Sequence, residues 1–244
     1  MTTATQAIKI EGTDWKWLCK VGGVAAMLQL VCSLVTMAIV FGTGGEPTTV
    51  EEYFDLLQNQ RLLGLVRLDL ASVLNVGLYP LTAFGLYAAL KRTRPAGMAL
   101  ALVLVVTGAV LWLGSHSALS MISLSDQYAA AASDLQRYQL LAAGRAVIAS
   151  DMWHTTGAFM SGIFLQGGTT LISILMLRVT VFSKVTAWVG IVDHGLDLAH
   201  VVLMVLVPLA GQWLMIVAGP LYPVWFFMVG RRLLQLGKEP QSEG

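Results

Sequence analysis

Long apolar runs alternate with short polar breaks along this chain. Six runs reach the ~20 residues that a helix needs to cross the hydrocarbon core of a bilayer: 17–41, 63–90, 97–121, 155–177, 183–207 and 212–230. The breaks TRP (93–95) and PLAGQ (208–212) are short, which predicts antiparallel hairpins from the second and third runs and from the fifth and sixth. Two breaks are longer, 42–62 and 122–154, and both carry helix signals. TTVEEYFDLLQNQ opens with overlapping capping boxes, Thr48 with Glu51 and Thr49 with Glu52, ahead of Tyr53, Leu56 and Leu57 at helical spacing. SDLQRYQLLAAGRAV repeats the device with Ser133 and Gln136. These are expected to be amphipathic helices, serving as interfacial connectors or as a lid over the helix mouths. The expected fold is an all-α membrane protein with six transmembrane helices, a single polytopic domain over residues 1–244.

Composition agrees with a chain solvated by lipid. Hydrophobic residues make up 56% and charged residues 12%, against about 25% charged in a soluble domain. The net charge is +1 and no basic stripe is interleaved with aromatics, which sets nucleic-acid binding aside. Cys19 and Cys32 lie on one predicted helix, about 20 Å apart at ~1.5 Å per residue, and cannot bridge each other. The first apolar run exceeds the ~7–15 residues of a signal-peptide core, so a retained first membrane helix is expected.

Lys and Arg near the spans set the orientation. With a cytoplasmic N-terminus, that side holds Lys9, Lys16, Lys20, Lys91, Arg92, Arg94, Arg178, Lys184, Arg231, Arg232 and Lys238, which is 11 of the 15 basic residues. Both termini are expected inside, in a bacterial cytoplasmic membrane, with the two long breaks outside.

Against this background IVDHGLDLAH, residues 191–200, stands out. An ionisable group at the bilayer centre costs about 2.5–3.5 kcal/mol on insertion scales, so such groups face the bundle interior, pair, or mark a site. At ~100° per residue Asp193, Asp197 and His200 share an arc of about 60°, with His194 on its edge. Asp193 and His194 fall near mid-membrane, and Asp197 and His200 further out. Helix periodicity and depth add His116, His154, Arg67, Asp69 and Asn75 as neighbours in the outer half, with Ser72 and Tyr79 on the face of Asn75. In the fourth run His154, Gly157, Ser161 and Gly168 follow one side and predict a close packing seam. In the last run, Pro220 and Pro223 predict a kink.

Three roles suit the polar cluster. In the first, Arg67, Asp69, Asp193 and Asp197 pair with histidines or Asn75 and fix helix register. In the second, the cluster lines an outward-facing cavity that binds or passes a small ligand, lipid or proton, or serves a membrane partner subunit. In the third, His116, His154, His200 and Asp197 hold zinc for an intramembrane hydrolase, or the histidines hold haem. No nucleophile elbow, zincin motif, P-loop or dinucleotide fingerprint is present. No inverted repeat relates 17–121 to 155–230, which weighs against a typical secondary transporter. The non-enzymatic cavity, without a cofactor, is the preferred reading and the hydrolase its alternative. The lipid bilayer is the expected surrounding, with a small molecule, a membrane protein or a second copy of the chain as possible partners.

The segments SLSDQYAAAAS, VFSKVTAWVGI and LYPVWFFMVGRRLLQL resemble the uncharacterised bacterial integral-membrane family catalogued as domain-of-unknown-function family 4386. The resemblance covers roughly residues 60–236. It implies one polytopic bacterial domain of about six helices and assigns no catalytic residue.

Overall fold

Every element that the computed structural model describes is a helix. It describes residues 13–42, 47, 49–66, 70–115, 118–150 and 155–238. Within them lie α1 (Thr13–Gly42), α2 (Val50–Asn59), α3 (Arg61–Leu65), α4 (Ala71–Leu90), α5 (Pro95–Ser115) and α6 (Ala118–Ala129). They are followed by α7 (Asp134–Ser150), α8 (Thr156–Met176), α9 (Lys184–Leu206), α10 (Pro208–Ala218) and α11 (Leu221–Lys238). Five helical stretches are long and apolar enough to cross a membrane, or six if the bent pair α10–α11 forms one span. A chain in lipid must satisfy its backbone polar groups internally, and a helix does so within one segment. The chain is therefore read as a multi-pass membrane protein.

The spans close into a ring. Each of α1, α4, α5, α8, α9 and α11 packs against the next, and α11 returns to α1. Neighbours run antiparallel: Gln29 of α1 reaches Asn75 and Thr82 of α4, and Gln166 of α8 reaches His194 of α9. Trp225, Phe226, Leu86, Met98, Met176 and Leu233 fill the interior. Val103, Val110, Val205 and Trp213 are each more than 60% exposed on the outside. A continuous apolar exterior of this kind suits lipid rather than water.

Glycines set the closest approaches. A methyl group added at Gly22 would lie 2.7 Å from the Gly85 Cα, so α1 and α4 meet backbone to backbone. At Gly108 it would lie 2.5 Å from the backbone nitrogen of Leu165, and at Gly168 3.0 Å from the Ala101 carbonyl oxygen. The seam read along the fourth run is thus the α5–α8 contact at Gly168. A methyl group added at Gly157, also on that seam, would lie 3.1 Å from the Ser115 hydroxyl of α5.

Two boundaries differ from the sequence reading. In the second run Arg61–Leu65 forms α3 and Ala71–Leu90 forms α4, and residues 67–69 between them lie outside the described residues. PLAGQ is not a linker: Pro208 occupies the first turn of α10, where its missing N–H costs nothing, so Val207 alone joins α9 to α10. The last span is broken, with α10 and α11 meeting at 41°. The break falls at Gly219–Pro220, where the kink was expected, while Pro223 sits harmlessly in the first turn of α11.

The long breaks fold together. Thr49 and Glu52 form a reciprocal capping box at the start of α2. Thr48 lies outside the described residues. At the start of α7 the Gln136 N–H donates to Ser133 Oγ, while Gln136 Oε1 accepts from the Ala132 N–H. Val50, Phe54 and Leu57 of α2 bury against Met121 of α6, with Leu141, Val147 and Ile148 of α7 packed alongside. Arg61–Asp126 and Arg145–Glu51 pair at the rim. The two segments therefore make a three-helix cap with its own small core. Connectivity puts this cap at the end of the ring opposite Lys16, Lys20, Lys91, Lys184 and Lys238.

Candidate functional site

Inside the ring, toward the cap, lies a half-open cavity of about 250 Å³. Seven helices line it, α1, α4, α5, α8, α9, α10 and α11; the glycine contacts hold α1 to α4 and α5 to α8, while the α10–α11 break opens the last wall. Trp112, Leu165, Val201 and Met215 make it largely apolar. Ser33, Asn75, Ser161, Gln166, Asp197 and Tyr222 bring polar atoms to it.

Asp197 is the carboxylate of that wall. Tyr222 of α11 donates its hydroxyl to Asp197 Oδ2 at 2.5 Å. The Gln166 side chain of α8 also turns toward Asp197. A carboxylate only accepts, so the Gln166 NH2 faces it and Oε1 points the other way. That oxygen meets His194 Nδ1 at 2.8 Å. The amide thus selects the tautomer of His194, with the proton on Nδ1 and Nε2 bare.

His194, placed by periodicity at the edge of the polar stripe, has a fully buried side chain. The ring stands edge-on to Trp225, Tyr222 and Tyr79, with centroids 4.6, 5.2 and 6.4 Å away. A polar arc drawn on one helix cannot see that α11 and α4 bring three aromatic rings to the same side. Such pairs contribute about 0.5–1.5 kcal/mol each beyond burial, enough to hold the ring in one orientation. Nε2 has no hydrogen-bond partner and sits 4.0 Å from Asp193 Oδ2. Asp193 is itself fully buried, and neither of its oxygens is hydrogen-bonded. One turn beyond Asp197, His200 Nδ1 meets the Gly211 carbonyl oxygen at 2.9 Å, tying α9 to α10.

Asn75 lines the cavity opposite Asp197 and belongs to a second network. Gln29 Nε2 donates to Asn75 Oδ1 at 3.2 Å, Thr82 donates to Gln29 Oε1 at 2.5 Å, and Asn75 Nδ2 donates to Ser33 Oγ at 3.1 Å. Five of the nine candidate residues, Asp193, His194, Asp197, His200 and Asn75, therefore line or adjoin one internal region. Arg67, Asp69, His116 and His154 lie outside the described residues. Among the described residues no three His, Cys, Asp or Glu side chains are placed to hold a metal together. None of the described Lys or Arg side chains forms an ion pair with Asp193 or Asp197.

The sequence reading missed Gln29, Gln166, Thr82 and Tyr222. Gln29 and Gln166 are each isolated amides inside apolar runs, MLQLV and IFLQGG. An amide in hydrocarbon needs a partner just as an ionisable group does. No family model, no curated protein and no solved structure matches the chain, so its chemistry rests on this geometry.

Proposed function

We propose that this is a bacterial cytoplasmic-membrane protein, both termini inside, whose outward-facing cavity binds a small molecule with Asp197 as polar anchor. The observation that carries the reading is the Asp197 carboxylate on the wall of an otherwise apolar cavity, oriented by Tyr222 and Gln166. Small-ligand sites have this make-up, an apolar lining with a few convergent polar groups. At about 250 Å³ the cavity lies below the ~300–1,000 Å³ of drug-sized sites, which favours a compact occupant. The resemblance to domain-of-unknown-function family 4386 belongs to this proposal and adds no chemistry to it.

Native mass spectrometry of protein purified in mild detergent tests it. Wild type is expected to carry a small-molecule adduct that is lost from Ser161→Leu and from Asp197→Asn. Ser161 Oγ has no hydrogen-bond partner, so the leucine fills space without breaking a bond. An adduct kept by both variants, or none on wild type, would contradict the proposal. The same spectrum addresses the alternative hydrolase, in which His116 and His154 join His200 and Asp197. Stoichiometric zinc or iron, lost on His200→Ala, would support that reading.

A further inference from the structure

Deeper than the cavity wall, two buried acceptors face each other without a donor between them. Asp193 Oδ2 and His194 Nε2 stand 4.0 Å apart, both side chains are fully buried, and neither atom is hydrogen-bonded. The tautomer imposed by Gln166 leaves Nε2 as an acceptor, and a carboxylate is also one. A single proton satisfies both. The separation exceeds a hydrogen bond, so the shared proton draws the two side chains together by about an ångström. Asp193 is nine residues into α9, about 14 Å from its start at ~1.5 Å per residue, close to the middle of the bundle.

We infer that Asp193 and His194 form an intramembrane proton-binding pair, linked to the cavity through Gln166 and Asp197. Among the described residues, Asp197 and His200 follow the pair on α9, Tyr79 comes from α4, Gln166 from α8, and Tyr222 and Trp225 from α11. Among the described residues no lysine or arginine pairs with either member. With no fixed positive partner among the described residues, the net charge of the pair changes by one when the proton arrives or leaves. That is how an intramembrane ionisable group serves a proton path, whereas a register-fixing ion pair keeps its charge.

The link to the cavity follows from Gln166. Its NH2 faces the Asp197 carboxylate and its oxygen accepts from His194 Nδ1–H. An occupant that draws Asp197 away releases the amide, removes the lock on the imidazole tautomer, and changes what Nε2 offers Asp193. The pair stands apart from the ligand reading, whereas this link rests on it.

Infrared difference spectroscopy of wild-type protein in liposomes, taken across pH, reads the proton directly. A protonated-carboxyl band that disappears as pH rises is expected. Asp193→Asn should remove it, and Asp126→Asn, on the cap surface, should leave it intact. Nitrogen NMR of the wild-type protein is a second readout that needs no folded variant. One imidazole should show a protonated Nδ1 and an Nε2 signal that moves over the same pH range as the band. A titrating band that survives Asp193→Asn, no titrating band, or a fixed Nε2 signal would overturn the pair. Gln166→Leu tests the link: the pH of band loss should move, and an unmoved pH would overturn the link while leaving the pair. Loss of the small-molecule adduct with an unchanged band would support the cavity alone.

Discussion

Gly108→Ala is expected to destabilise the bundle by on the order of 3 kcal/mol, the upper range for overpacking a filled interior. The added methyl would lie 2.5 Å from the Leu165 backbone nitrogen and 2.9 Å from its Cα. A flexible side chain could turn aside, but the backbone of a packed helix cannot, so α5 and α8 must separate. That separation reaches the site, because Leu165 and its neighbour Gln166 both line the cavity. Gly167→Ala is the matched control. It sits one residue beyond Gln166 with nothing within 4 Å of an added methyl. In a helix interior it should be neutral or stabilising by roughly 0.5–1 kcal/mol. Melting temperatures of the two purified variants decide the matter, and equal values would mean that the α5–α8 contact is looser than described.

Gln166→Leu is expected to cost about 1–3 kcal/mol for each buried partner left unsatisfied. It removes the acceptor of His194 Nδ1 and the amide that faces Asp197 in one substitution. The partner dependence separates this from a loss of packing. In a His194→Phe background, one of the two orphaned groups is already gone, so the cost of Gln166→Leu should fall by about the same 1–3 kcal/mol. Additive costs would show that Gln166 acts through shape and not through its amide.

The six apolar runs were readable because lipid allows few solutions: about 20 apolar residues and a helix. Depth and period placed Asp193, Asp197 and His200 inward, and the described structure puts all three there. What could not be read was pairing between helices. Tyr222 lies 25 positions from Asp197, and Gln166 lies 28 from His194. Nothing in either local pattern points to the other. The ends were harder still. Pro208 in PLAGQ reads equally as a loop residue and as a helix first turn, and only the seating of α10 against α9 decides between them. Likewise the capping box Thr49–Glu52 announced α2, yet not that Phe54 would bury against α6 to build a cap.

Accessibility to water tests the outward-facing cavity most directly. In a Cys19→Ala, Cys32→Ala background, Ser72→Cys places a thiol on the cavity wall, and Val103→Cys places one on the lipid-facing outside of α5. A membrane-impermeant maleimide is then added to sealed vesicles from the side that bears the α2–α6–α7 cap. The thiol of Ser72→Cys is expected to react and that of Val103→Cys to stay unmodified. A Ser72→Cys thiol that reacts from neither side, or only from the side that bears the termini, would contradict it.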